Sequence, residues 1–233
     1  MFGLETDWLG NNLENPSAGS HSMMMFNGRS CIYYLLTLLK CRRIWMPAYV
    51  CRSMVDAAKK AGVTIHFYSI DKHLQINDSS WIDKVKKTDI VLFVDYFGFS
   101  PERSIIKHMK DKGCIVVEDA AQSLLSQYKR LYTDYVIFSP RKLLGVPAGG
   151  ILTSVAKDVD SNPLKPVPQD VLNATYQAFL MRTEFDAADG TDNGWFATYK
   201  QAEGMQVISN YAIDDFSQSL RTFSFDCQRI VLN

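Results

Sequence analysis

Between Arg43 and Ser154 the sequence alternates short β-rich runs with amphipathic stretches, and that alternation leaves few folds open. Each strand and each helix must bury an apolar face, and a chain that switches between them repeatedly does so by packing helices on a mainly parallel sheet. Strands are predicted at Ile44–Met46, Thr64–Tyr68, Ile90–Val94, Ile115–Glu118, Tyr135–Phe138 and Gly150–Ser154. Several are apolar on both sides, as strands covered on two faces must be. Ser53–Ala61 and Ser104–Lys112 are predicted helices that stop at Gly62 and Gly113, the residue type expected just past a helix end. The fold class expected is therefore α/β, three layers with a mainly parallel sheet between helices. The apolar run Cys31–Leu39 is closed by Lys40, Arg42 and Arg43. It is about half the roughly 20 residues that a membrane span needs, so it reads as a buried helix.

The 233 residues suffice for one substantial core, or one large domain with part of a second. Lys and Arg number 25, and so do Asp and Glu. With no net charge, the chain has no long-range attraction for nucleic acid or anionic lipid, and neither is expected as a partner. The five cysteines (Cys31, Cys41, Cys51, Cys114 and Cys227) are odd in number, widely spaced and without a C-x-x-C pair. That argues against a disulfide framework or a zinc site and fits a reducing cytoplasm. Glu5 and Asp7 stand where a secretory signal would be basic and then apolar, so no such signal is expected. The four histidines show no metal-ligand spacing, so no metal is expected either.

Beyond Ser154 the pattern changes. Lys157–Gln169 holds Pro163, Pro166 and Pro168 and reads as a surface loop. Helices are expected at Val171–Glu184, Trp195–Gly204 and Asp214–Ile230, with a breaker at Asp186–Gly194. The expected organisation is an N-terminal arm (1–25), a large domain (26–155), and a loop and helical segment (156–233).

Three constellations carry chemistry. Val116-Val117-Glu118-Asp119-Ala120-Ala121-Gln122 delivers an acid and then an amide at a strand's carboxyl end, where open parallel sheets bind ligands. An Asp there can hold the protonated ring nitrogen of pyridoxal phosphate (PLP), and Gln122 can bond the ring oxygen. Capping the next helix is the competing reading for Asp119. Phe138-Ser139-Pro140-Arg141-Lys142 leaves a second strand and returns through Gly149-Gly150. Partial desolvation and the neighbouring Arg141 would lower the Lys142 pKa toward the neutral amine that forms a Schiff base; a solvated loop charge is the bland alternative. Phe26-Asn27-Gly28-Arg29-Ser30 precedes a helix expected to begin near Cys31, whose free N–H groups suit a phosphate, with Ser30 as either an anion ligand or an ordinary cap.

Taken along the chain, Gly28-Arg29-Ser30, then Met46-Pro47-Ala48-Tyr49-Val50-Cys51, then Glu118-Asp119-Ala120-Ala121-Gln122, then Phe138-Ser139-Pro140-Arg141-Lys142 with Gly149-Gly150 resemble the DegT/DnrJ/EryC1/StrS aminotransferases, PLP-dependent enzymes of fold type I. The match runs from about Phe26 to Ser154. The resemblance implies PLP as cofactor, Lys142 as the catalytic lysine that holds it, Asp119 at the ring nitrogen and Gln122 at the ring oxygen. It also implies phosphate contacts from Gly28, Arg29 and Ser139, with Ser30 beside them. The Pro47–Cys51 segment should supply the group stacked on the ring, either Tyr49 or Cys51. A homodimer with shared active sites is implied, as are a small-molecule amino donor and a keto acceptor, in the family usually a nucleotide-linked sugar bound for polysaccharides or antibiotics. Two features depart from the family: Ser139 lies three residues before the lysine rather than five, and the small C-terminal domain toward which Asp226–Ile230 would lead is expected to be missing. The rival expectation is accordingly a truncated or degenerate relative that keeps the PLP-binding fold without catalysis. A doubly wound nucleotide-binding protein ranks below both, because no G-x-G-x-x-G follows the first strand.

Overall fold

The computed structural model describes residues 22–124, 130–155, 163–188 and 194–219. Most of the expected N-terminal arm, residues 157–162 of the proline loop, residues 189–193 of the breaker, the C-terminal helix beyond 219 and Cys227 lie outside the described residues.

Seven strands form one sheet: β1 (Ser22–Met25), β2 (Arg43–Pro47), β3 (Thr64–Tyr68), β4 (Ile90–Val94), β5 (Ile115–Asp119), β6 (Tyr135–Phe138) and β7 (Gly150–Ser154), in the order β1-β7-β6-β5-β4-β2-β3. Strands β2 to β6 pair in parallel. β7 and then β1 add antiparallel at one edge. The helices are α1 (Gly28–Leu38), α2 (Arg52–Lys60), α3 (Arg103–Asp111), α4 (Gln169–Ala187) and α5 (Gly194–Met205). The six predicted strands are present within a residue of their expected ends. β1 is an addition that the sequence pattern did not announce, because three consecutive methionines show no alternation.

Side-chain alternation along the strands builds a core on each face. Leu92, Val117, Ile137 and Leu152 point to one side and pack with Ile32, Leu35 and Leu36 of α1 and Met54, Ala57 and Ala58 of α2. Val91, Phe93 and Val116 point to the other and pack with Ile106 and Met109 of α3 and with Trp45, Tyr68 and Trp81. Each such fully buried side chain contributes on the order of 1.5–3 kcal/mol. Gly62 and Gly113 adopt φ of +72° and +85°, so the two predicted helix stops are left-handed turns that feed β3 and β5.

α1 begins at Gly28 rather than near Cys31, because Asn27 is the cap: its side chain accepts the Ser30 N–H at 2.8 Å. The first turn of α1 lies directly on β7. A Cβ built on Gly150 would stand 2.4 Å from the Asn27 carbonyl carbon and 2.8 Å from the Gly28 nitrogen, backbone atoms that have no freedom to rotate away. Gly150→Ala is expected to lower stability by about 2 kcal/mol or more by forcing α1 off the sheet, as overpacking does. A thermal melt of the variant indistinguishable from wild type would show that the α1 entry is not held this tightly.

Candidate functional site

All the chemistry-bearing segments leave the carboxyl ends of parallel strands. Tyr49 and Cys51 follow β2, Asp95 and Phe97 follow β4, Asp119 ends β5 with Gln122 just beyond, and Ser139 to Lys142 follow β6. The α1 N-terminus closes one side. Two clefts meet over Asp119 and Lys142, and both are lined by Cys51, Asp119, Ala121 and Lys142. The inner one adds Gly28, Arg29, Ser139 and Arg141. The outer one, of about 300 Å³, adds Tyr49, Asp95, Phe97 and Gln122.

Asp119 is 7% exposed, and its Oδ1 accepts the Ala121 N–H at 3.0 Å, the local bond of an Asx turn. Burial pushes its carboxyl up to about 6; the Ala121 N–H and the Lys142 charge pull against this, and Asp95 adds to it. Asp119 is thus a buried acid short of compensating positive charge, facing a cleft. Its neighbour Glu118 points to the opposite face and is fully engaged: Arg103 donates to it at 2.7 and 3.2 Å, and Thr133 donates as well. Burial raises the Glu118 carboxyl too, with Arg103 opposing. Asp95, fully buried beneath the cleft, accepts from Ser123 at 2.7 Å and Arg130 at 2.9 Å, while its N–H donates to the Asp119 carbonyl at 3.0 Å.

Lys142 ends a short 3-10 turn, Pro140–Lys142, and its N–H donates to the Ser139 carbonyl at 3.0 Å. Its side chain is exposed within the clefts rather than partly desolvated as expected. Arg141 is not a free cation beside it either: Arg141 Nη1 donates to Glu203 Oε1 at 2.8 Å, drawn to α5 by the opposite charge. Arg29 Nη2 donates to the other oxygen, Oε2, at 2.8 Å. Ser30 is 3% exposed inside the first turn of α1 and lines neither cleft, so it is neither the cap nor an exposed anion ligand. Ser139 is buried at the inner cleft, as its position after β6 implied.

Gln122 Oε1 accepts the N–H of Phe97, a non-glycine residue at φ +54°, at 2.8 Å. That bond leaves the amide N–H groups of Gln122 for a ligand. Tyr49 is 62% exposed, with its ring 5.7 Å from that of Tyr96 at the rim of the outer cleft. Cys51 is exposed as well and lines both clefts, with its thiol 3.1 Å from the Ser53 hydroxyl. Of the two residues left open for the ring face, both line the outer cleft with Asp119 and Lys142, and Cys51 lines the inner one too. Sequence reasoning missed Asn27, although Asn before a helix is a standard capping signal, and it missed Glu203, for which no local signal existed.

A model of the aminotransferase class-V family matches residues 50–170, just over half of the chain. No curated protein matches the sequence. Among solved structures the chain is similar to the aminotransferase TlmJ from Streptoalloteichus hindustanus, at 14% identity over 94% of this chain and 56% of that one, with a TM-score of 0.61. It is similar to the sugar aminotransferase CalS13 from Micromonospora echinospora, at 15% identity over 64% and 44%, TM-score 0.51. It is also similar to NtdA from Bacillus subtilis, solved with bound cofactor PMP, at 17% identity over 66% and 38%, TM-score 0.53. At such identities the likeness shows the fold, the α/β architecture of the fold-type-I transferases. The chain spans about half the length of the structures it matches.

The raised Asp119 pKa fixes a sign. The folded value of about 6 lies above the ordinary 3.8, so the folded protein holds this proton more tightly than the unfolded chain, and stability falls as pH rises from about 4 through 6. At pH 7 the ionised acid costs up to about 3 kcal/mol. Asp119→Asn keeps the Ala121 bond without the charge, so it is expected to raise the Tm of the ligand-free protein by several degrees at pH 7, with the gain shrinking near pH 4. A Tm at pH 7 equal to or below wild type would mean that the carboxylate is better compensated than its surroundings indicate.

Proposed function

We propose that this chain, which belongs to the aminotransferase class-V family, binds pyridoxal 5′-phosphate over Asp119 and Lys142 and serves the transfer of an amino group from an amino acid to a keto substrate. The observation that carries this reading is the convergence of a buried, charge-starved carboxylate and an accessible lysine amine on the same two clefts.

The residues present fit the group. Asp119 needs a cation, and a protonated ring nitrogen is one; the pair would keep the carboxylate ionised despite its burial. At the other end, Arg29 and Arg141 each keep a buried Nε without a partner, donors suited to phosphate oxygens beside Gly28 and Ser139. A Cβ on Gly28 would meet only Ile137 at 3.7 Å, so packing alone does not demand glycine there, and close approach of a ligand is the remaining reason for it.

When bound, the group supplies an electron sink conjugated to the substrate carbon that gains or loses nitrogen. Lys142 is the amine that would hold the group and would move a proton at that carbon. Asp119 would accept the hydrogen bond from a protonated ring nitrogen and so keep that proton on the ring. Gln122 offers its amide N–H groups to the ring oxygen while Phe97 holds its carbonyl in place. Cys51 would take the ring face, with Tyr49 at the rim, where it could meet substrate.

The motif order of the DegT/DnrJ/EryC1/StrS group and the sugar aminotransferase among the structural neighbours support a keto sugar, linked to a nucleotide, as acceptor. We propose a homodimer working in the cytoplasm, in keeping with the absence, among the described residues, of any helix long and apolar enough to cross a membrane. Purified protein incubated with PLP is expected to show a visible absorbance band that borohydride bleaches while fixing the added mass to Lys142, and Lys142→Ala is expected to lack it. A wild-type spectrum no different from free PLP, with no fixed mass, would overturn the reading.

A further inference from the structure

The corner suited to an anion already holds a carboxylate. Glu203, in the last turn of α5, takes one N–H from Arg29 and one from Arg141, each at 2.8 Å, and all three side chains are about four-fifths buried. Gln206, just past the helix, accepts the Asn27 amide at 2.9 Å. The end of α5 is thereby tied to the first turn of α1 and to the lysine turn. The fit is incomplete, since both arginines keep an unpartnered, buried Nε. A carboxylate has two oxygens to share between two guanidinium forks, where a phosphate brings three.

We propose that Glu203 is an internal substitute for a phosphate: α5 docks through it when the corner is free of ligand, and an arriving phosphate group displaces it and releases α5. Only the identity of the phosphate-bearing ligand rests on the reading above. A phosphate dianion and a carboxylate sharing two arginines repel at close range in a poorly solvated corner, so the two occupancies exclude one another. Release has a structural consequence. Glu203 also lines a cavity of about 510 Å³ between the lysine loop and the α4–α5 pair, together with Lys142, Arg182, Trp195 and Tyr199. When α5 lets go, that cavity opens on the Lys142 side of the site, so anion binding and access to the lysine are linked. Linkage of this kind is reciprocal: whatever holds α5 down weakens the anion.

Inorganic phosphate, which reads the corner without the ring, is titrated by calorimetry into wild type, Glu203→Gln and Gln206→Ala, and PLP is titrated in parallel. Glu203→Gln removes the competing charge and is expected to tighten phosphate about tenfold. Gln206→Ala removes the bond to Asn27 and a longer one, 3.4 Å, to Glu203 Oε1, so it loosens α5 and its latch without adding or removing a charge, and is expected to tighten phosphate about two- to threefold. Phosphate affinity unchanged or weakened in Glu203→Gln would mean that the carboxylate orders the arginines for the anion instead of competing with it, and would overturn the proposal. Absence of phosphate binding in all three proteins would do the same, and so would a Gln206→Ala variant that binds more weakly than wild type. A Lys142 adduct with PLP but no gain from Glu203→Gln removes the latch and leaves the cofactor; a gain for phosphate with no adduct keeps the latch and removes the cofactor.

Discussion

The parallel pairing of β4, β5 and β6 is the constraint on which the rest depends. Val94 pairs with Asp119 and Asp119 with Ile137, so the strands finish level and the residues after them emerge at one edge. A crossover connection returns each parallel strand to the same end, and the irregular backbone that follows a strand gathers there. Residues as distant in sequence as Cys51, Asp95, Asp119 and Lys142 become neighbours because hydrogen-bond register leaves them no other place. The tight contact of Gly150 with Asn27 and Gly28 extends this logic to the antiparallel edge, where β7 fixes the start of α1 against the same corner.

Adjacent carboxylates on β5 show how one strand serves two purposes. Glu118 faces α3 and meets an arginine fork and a hydroxyl, an arrangement that satisfies a buried charge without external help. Asp119, one residue on and therefore on the other face, has a backbone N–H and a lysine amine nearby, with Asp95 working against it. The first arrangement builds the fold; the second leaves a deficit that a ligand cation can fill. Burial alone does not separate the two, since both are nearly or wholly inaccessible. The difference lies in what surrounds each.

What the sequence made legible follows from how local the signal was. Five consecutive apolar residues at Ile90–Val94, or a helix run stopped by Gly113, carry their own explanation, and those elements stand where expected. The positions of Asp119, Ser139 and Lys142 were legible because a strand end dictates them. Features that depend on distant partners were not. The freedom of the Arg141 charge was misjudged because its partner lies 62 residues further on. Ser30 was left open between anion ligand and cap because the capping bond that settles the second reading comes from Asn27, three residues earlier. The choice between Tyr49 and Cys51 depends on neighbours distant in sequence: the Tyr49 ring rests against Tyr96 at the outer cleft, while Cys51 lines both clefts.

The site therefore carries two opposite imbalances at its two ends, with Lys142 between them. At one end Asp119 is an acid without enough positive charge; at the other, two arginines share one carboxylate and keep donors unused. A free ion of either sign answers only one imbalance. A ligand with a basic ring at one end and an anionic group at the other answers both, and does so in one orientation, because reversing it would place like charges together at each end. The orientation matters chemically. Under the proposed reading, a ring nitrogen at Asp119 and an anion at the arginines would leave the ligand's remaining functional groups to the lysine and the outer cleft. Electrostatics that would be a stability defect in an inert fold would, on that reading, favour both the class of ligand and its pose.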